Sequence, residues 1–79
     1  MDAIALKRSF GRRIRCLRKA GDITQERLAE SVGCSTEYIS RIERGIVSPS
    51  FAVIARLAEA LDVQPHALFD FDASHPPDC

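Results

Sequence analysis

Apolar residues recur along this chain at the spacing of helices, and strand-like alternation is absent. The clearest run spans residues 4–20. One arc of this predicted helix is apolar and carries Leu6, Phe10, Ile14 and Leu17. The opposite arc is basic and carries Arg8, Arg12, Arg15 and Lys19. The pattern therefore predicts an amphipathic first helix that packs one face on a core and ends at Gly21.

Two shorter helices follow, joined by a tight turn. Thr24 and Ser35 are good N-cap residues, because a side-chain hydroxyl can accept a hydrogen bond from an unpaired backbone N–H. Gly33 and Gly45 suit the reversal of the chain just past a helix. These signals predict a second helix over 25–32 and a third from 36 to about 44. The short connection is typical of a helix-turn-helix motif.

The last part of the chain predicts two more helices. Ser50 marks the start of a fourth helix over about 51–61, with an apolar stripe made of Phe51, Ile54, Leu57, Ala58 and Leu61. Pro65 suits the first position of a short final helix over 65–69. Residues 73–79 lack an apolar pattern, so we expect a flexible tail there. The chain is thus predicted to be all-α, with five helices in one domain over residues 1–72.

Charge is unevenly distributed along the 79 residues, although the net charge is zero. Residues 1–49 carry ten Lys or Arg and six Asp or Glu, which gives +4. Residues 50–79 carry one Arg and five acids, which gives −4. The basic half has the charge needed to face phosphate groups. The alternative is that these charges only solvate a small surface.

Catalytic and metal chemistry find little support in the sequence. His66 and His75 are the only histidines, and the three cysteines contain no CxxC pair. We therefore expect no enzyme activity, no cofactor and no metal. No apolar run approaches the length of a membrane span, and the N-terminus is charged where a signal peptide is apolar. These features predict a cytoplasmic protein without a membrane segment.

The segment TQERLAESVGCSTEYISRIERG, at residues 24–45, resembles the helix-turn-helix family of the phage lambda and 434 repressors and Cro proteins, also called the XRE or Cro–C1-type family. The resemblance runs from about Phe10 to Phe69 and includes the pieces RIRCLRKAGDITQERLAESVG, SPSFAVIARLAEALDV and PHALF. It implies a lambda-repressor-like DNA-binding domain with its motif at about 24–44. It also implies a sequence-specific transcriptional regulator, a repressor or autoregulator, encoded by a bacterium or a phage.

The resemblance assigns roles to side chains in and near the third helix, which in this family lies in the major groove. The base-reading residues carried over are Thr36, Glu37, Ser40 and Arg41, and the phosphate contacts are Gln25, Tyr38 and Arg44. Three alternatives remain open. Gln25 can be a plain solvent-exposed side chain. Glu37 can be an ordinary first-turn acid, favoured by the helix dipole, and Tyr38 can simply pack over the turn. Arg18 and Glu43 are implied to form a partly buried ion pair between the first and third helices.

The resemblance also implies a homodimer on an inverted repeat of double-stranded DNA. The candidate interface residues are Ile46, Val47, Leu68, Phe69 and Phe71, with ordinary core packing as the alternative, above all for Leu68 and Phe69. No segment resembles a ligand-binding domain, so no small-molecule effector is expected. The rival interpretation is a protein-interaction module, such as an antitoxin whose main partner is another protein.

Overall fold

Four α-helices and two short 3-10 helices follow one another in the computed structural model, which describes residues 1–73. This part of the chain contains no strand. The elements are α1 (Ala3–Ala20), α2 (Gln25–Val32), α3 (Thr36–Glu43), α4 (Phe51–Ala60), a first 3-10 helix (Pro65–Phe69) and a second (Phe71–Ala73). The predicted all-α class is confirmed.

Each α-helix begins at a side chain that caps it. The side-chain oxygens of four residues accept hydrogen bonds from the backbone N–H three positions later, and these residues are Asp2, Thr24, Ser35 and Ser50. Gly33, with φ of 84°, reverses the chain between α2 and α3. The predicted starts of α2, α3 and α4 follow this capping chemistry.

The prediction of five α-helices is wrong at its last member. Residues 65–69 form a 3-10 helix, in which the Ala67 N–H donates to the Gln64 carbonyl and the Asp70 N–H donates to the Ala67 carbonyl. So short a segment gains few hydrogen bonds for the residues it fixes, and the tighter helix suits it. The second 3-10 helix was not predicted. Apart from Ala73, the predicted tail lies outside the described residues.

One hydrophobic core joins the four α-helices and the first 3-10 helix. Its buried members are Phe10, Ile14, Leu28, Ala29, Val32, Ile39, Ile42, Leu57, Ala58 and Leu68. Leu68 is fully buried, so it belongs to the core and cannot serve the interface for which it was a candidate. The Arg13 Nε donates to the Ala67 carbonyl oxygen at 2.8 Å, which ties the first 3-10 helix to α1.

Two apolar residues predicted on buried stripes lie at the surface. Phe51 is 87% exposed and Leu6 is 40% exposed. Phe51 is the first residue of α4, and the helix reaches the core only from Val53 and Ile54 onward. Leu6 lies one turn before Phe10, the first buried side chain of α1. In both helices the apolar stripe extends one turn beyond the core that it was predicted to cover.

The N-terminal half of α1 touches the C-terminal end of α3 without intervening side chains. Gly11 is buried at this crossing, where a Cβ atom would overlap the Ile42 carbonyl oxygen and lie 2.7 Å from the Glu43 carbonyl oxygen. Gly45, with φ of 75°, lies against α1 in the same way, and a Cβ there would be 2.9 Å from the Cα of Arg8. These contacts fix the position of α3 relative to α1.

We predict that Gly11→Ala destabilises the fold by about 1–3 kcal/mol, because the added methyl group forces the α1 and α3 backbones apart. An exposed helical glycine changed to alanine would instead gain about 0.5–1 kcal/mol. Gly21→Ala is the control, since the nearest atom to a Cβ there is the end of the Ile23 side chain at 3.3 Å, and the nearest backbone atom, the Leu17 carbonyl oxygen, is 3.5 Å away. Urea denaturation measures both variants. Equal stability of the two variants would disprove the close crossing.

Candidate nucleic-acid interface

Helix α3 presents a polar outer face because two isoleucines hold its other side in the core. Ile39 is 0% exposed and Ile42 is 1% exposed. The outer side carries the exposed Thr36, Glu37, Arg41 and Arg44, with Ser40 half-buried among them. All four predicted base-reading residues therefore lie on one helix, on or beside its solvent-facing side. No large apolar side chain interrupts this face between Thr36 and Arg44 except the half-buried Tyr38.

Glu37 binds two arginines along the outer face of α3. Arg41 Nε donates to Glu37 Oε1 at 3.2 Å, and Arg44 Nη2 lies 3.9 Å from the same oxygen. The three side chains are 52–64% exposed. An exposed pair at this helical spacing contributes only about 0.3–0.5 kcal/mol, because water and salt screen it. The arginines are therefore held along the face, yet they can exchange Glu37 for another anion at little cost.

A buried ion pair joins α3 to α1. Arg18 Nε donates to Glu43 Oε2 at 2.6 Å, and Arg18 Nη2 donates to Glu43 Oε1 at 3.1 Å. The side chains are only 11% and 4% exposed. The third nitrogen of Arg18, Nη1, donates to the Ile23 carbonyl oxygen at 2.9 Å. This contact is bidentate, which is the geometry in which an arginine and a carboxylate bind most strongly.

Gln25 connects this ion pair to the first turn of α2. Its Nε2 donates to Glu43 Oε1 at 3.1 Å. An amide nitrogen carries two N–H groups, so one remains for another acceptor. Gln25 and Thr24 border a surface hollow together with Thr36, at the first residue of α3. The N-terminal ends of α2 and α3, whose first N–H groups lack helical partners, therefore meet at one place.

A second hollow lies at the other end of α3 and is lined by arginines. Arg8, Arg12 and Arg15 of α1 form one side, and Glu43 and Arg44 form the other. The helical pattern of the sequence predicts that these arginines lie on the outer arc of α1. It does not predict that they lie close to α3. The signal was the absence of any acid between Lys7 and Lys19. Their approach to Arg44 depends on the Gly11 and Gly45 contacts, which no helical periodicity reveals.

Tyr38 and Cys34, on either side of the α3 N-cap, are both partly buried. Tyr38 is half-buried and packs against the core. Burial raises the pKa of the Cys34 thiol, just before the α3 cap, so the thiol stays protonated near neutral pH.

Within residues 1–73, no group of three or more His, Cys, Asp or Glu side chains is placed to hold a metal ion.

An apolar groove lies between the start of α1 and the start of α4. It is lined by Leu6, Phe10, Pro49, Phe51, Ile54 and Phe69, with Lys7 and Ser48 at its edge. Phe69 is 42% exposed and packs on Phe10 and Phe71, with ring centroids 5.1 Å and 6.3 Å away. Ile46 is 54% exposed, whereas Val47 and Phe71 are half-buried. Phe51 and Leu6 are the members of this surface that sequence reasoning missed.

Residues 9–70 match the helix-turn-helix domain family, so the chain belongs to that family and the predicted resemblance is confirmed. The match spans most of the described fold, from α1 to just past the first 3-10 helix. None of the helices within residues 1–73 is both long and apolar enough to cross a membrane.

Individual relatives share both sequence and fold with this chain. It is 41% identical to the HTH-type transcriptional regulator YazB of Bacillus subtilis, over 75% of this chain and 86% of that protein. It is 40% identical to control protein C.BamHI of Bacillus amyloliquefaciens, over 78% of each. The crystal structure of the restriction-modification controller protein C.AhdI of Aeromonas hydrophila superposes with a TM-score of 0.80 at 42% identity, covering 82% of this chain and 98% of that one. Other matched regulators are longer, and this chain spans 40% of the length of two from Mycobacterium tuberculosis.

We predict that Glu43→Ala destabilises the fold by about 3–5 kcal/mol, because it leaves the Arg18 guanidinium buried without its counter-charge. That loss is comparable to the total stability of a domain of this size, about 3–5 kcal/mol. Far-UV circular dichroism, recorded in buffer and during urea titration, measures the loss, and a variant without residual stability shows an unfolded spectrum already in buffer. The control is Glu30→Ala, an exposed acid on α2, which should change stability by less than about 0.5 kcal/mol. A Glu43→Ala variant with wild-type stability would contradict a structural role for the pair.

Proposed function

We propose that this chain is a sequence-specific DNA-binding transcriptional regulator whose α3 lies in the major groove. The observation that carries this proposal is the outer face of α3, where Thr36, Glu37 and Arg41 are exposed on a helix fixed by core and ion-pair contacts. A rigid helix with hydrogen-bonding side chains matches the width of the major groove and the chemistry of base edges. Membership of the helix-turn-helix family supports the same function.

The base-reading roles follow from side-chain chemistry. Arg41 reads guanine through paired hydrogen bonds to O6 and N7, and Glu37 accepts from the cytosine N4 amino group. Thr36 and Ser40 carry hydroxyl groups, which can donate a hydrogen bond to a base or accept one from it. The exposed Glu37–Arg41 contact in the free protein is weak, so both side chains can exchange it for base contacts at little cost.

Phosphate contacts flank the reading face in this proposal. Gln25 uses its remaining amide N–H and the positive end of α2 to hold one phosphate. Arg44 holds another through its exposed guanidinium. Tyr38 contributes through its hydroxyl, while its ring stays against the core. These contacts set the position of α3 along the groove and carry no sequence information themselves.

The regulator acts as a homodimer in our proposal. The principal extents of the chain are 30 × 23 × 21 Å. Two copies side by side can therefore place their α3 helices in successive major grooves, which lie about 34 Å apart. The apolar groove at Leu6, Phe51 and Phe69, with the neighbouring Ile46, Val47 and Phe71, supplies the surface for a two-fold contact. Such a contact also adds buried area to a small core.

Bound at an operator, the dimer blocks transcription from a promoter, which can be that of its own gene. We therefore infer that the protein is a repressor or autoregulator. No part of this proposal uses a small-molecule effector. DNA binding places its site of action with the chromosome, in the cytoplasm of a bacterium.

Selection from a random pool of duplex DNA tests sequence reading. We predict enrichment of an inverted repeat with half-sites about 10 base pairs apart, centre to centre. Arg41→Ala should lose preference at one base pair of each half-site, which corresponds to about 1–3 kcal/mol of discrimination. Arg56→Ala, an exposed arginine of α4, is the control and should select the wild-type sequence.

The opposite results are equally informative. If folded wild-type protein at moderate salt enriches no sequence, the proposal fails and the rival protein-interaction module gains support. If Arg41→Ala selects an unchanged sequence, α3 is not the reading element.

We predict that Phe51→Ser converts the dimer to a monomer without unfolding the chain. Phe51 is already 87% exposed in the single chain, so the fold loses little when it becomes polar. Sedimentation velocity measures the mass, and binding to a full operator should fall much more than binding to a half-site. Ala52→Ser, at the next exposed position of α4, is the control. A Phe51→Ser variant that remains dimeric would place the interface elsewhere.

A further inference from the structure

Three arginines of α1 form a row on its exposed side. Arg8, Arg12 and Arg15 follow i, i+4 and i+7 spacing, so they lie one above another along the helix. All three are exposed, and α1 contains no acidic residue. The row spans about 10 Å of the helix axis, at 1.5 Å of rise per residue. Together with Arg44 these arginines line the second hollow described above.

The row has no anionic partner within residues 1–73. None of its three guanidinium groups lies within 4.0 Å of a carboxylate there. Glu43 is the only acid lining the hollow, and its oxygens already accept from Arg18 and Gln25. Neighbouring cations without a counter-charge repel one another. Binding of an external anion relieves this repulsion and stabilises the row.

The dipole at the C-terminal end of α3 explains the position of only one arginine in this hollow. Its last carbonyl groups carry partial negative charge, which favours a cation such as Arg44 at the C-cap. This effect falls off within the last turn of a helix. It therefore does not explain three further arginines spread over two turns of α1.

The row is fixed in relation to the reading face of α3. Gly11 and Gly45 bring the α1 backbone against the C-terminal end of α3, and Arg8 lies directly against Gly45. The turn that follows, residues 46–50, contains no charged side chain. Beyond the C-terminal end of α3, this turn therefore offers no cation to a DNA backbone. The α1 row lies next to the turn and has the cations that the turn lacks.

We propose that Arg8, Arg12 and Arg15 form a phosphate-binding track for the DNA backbone beyond the C-terminal end of α3. The proposal rests on the DNA-binding function above and extends its contact outside the base pairs that α3 reads. A DNA strand carries one phosphate per about 3.4 Å of helix axis, so the row spans the rise of about three phosphates. The track recognises the charge of the backbone and not its sequence.

The test compares two variants of equal net charge. One carries Arg8→Gln, Arg12→Gln and Arg15→Gln together. The matched control carries Lys19→Gln, Arg27→Gln and Arg56→Gln, three exposed basic residues outside the row. Fluorescence anisotropy measures affinity for the selected operator and for a scrambled duplex of equal length, over a series of NaCl concentrations.

The row variant should lose at least tenfold in affinity at low salt, for operator and scrambled DNA alike. The slope of log K against log[NaCl] should become shallower by about 5 for the dimer, since each of its two subunits loses three phosphate contacts and each contact contributes about 0.9. The ratio of operator to scrambled affinity should stay within threefold of wild type. The control should change the slope by less than 1, and Arg12→Gln alone should change it by about 1.8, because one contact is lost in each subunit.

Shortening the operator gives a second measurement. A duplex that ends at the base pairs read by α3 should weaken wild-type binding, and it should have little effect on the row variant, which has already lost the flanking contact. Equal slopes for the row variant and the control would overturn the track. In that outcome the wild-type preference for operator DNA still stands, whereas a wild type without any preference would overturn the regulator function itself.

Discussion

The buried contact between Arg18 and Glu43 is the interaction on which the position of α3 depends. A carboxylate that is 4% exposed is stable only when its oxygens are paired, and two nitrogens of Arg18 with one of Gln25 pair them. One acid at the end of α3 is thereby joined to α1 and to the first turn of α2. All three elements that frame the candidate interface meet at this one carboxylate, so a change there alters the whole surface.

Close backbone contact complements this charge pair. Gly11 lets the α1 backbone reach the last carbonyl groups of α3, and a larger residue would separate the two helices. In the core beneath them, Ile14 of α1 and Ile39 and Ile42 of α3 are all buried to within 1% of their surface. Polar and steric constraints thus specify the same arrangement, which gives a small core a single packing. The arginine-lined hollow follows from that arrangement, since α1 and α3 each supply one of its sides.

Sequence reasoning found the elements whose signals are local. Thr24, Ser35 and Ser50 each mark a helix start by a hydrogen bond three residues away, and Gly33 marks a turn by its own φ. The missing information concerns distant contacts. Periodicity placed Phe51 on a buried stripe, although no neighbouring element covers this first residue of α4. It also gave the α1 arginines a common arc but not their approach to Arg44, which depends on two glycines in different elements. The ion-pair partners came from the family resemblance, because a separation of 25 residues has no local signature.

The two sides of α3 differ in how they respond to substitution. On the inner side, Ile39, Ile42 and Glu43 have no freedom, because packing density and charge burial penalise any change. On the outer side, Glu37 and Arg41 are more than half exposed and held by one screened contact. Substitution there alters the groups offered to a base edge while the helix stays in place. In the proposed DNA-binding role, the same scaffold can therefore acquire a new preferred sequence through its outer residues alone, without first passing through a less stable fold.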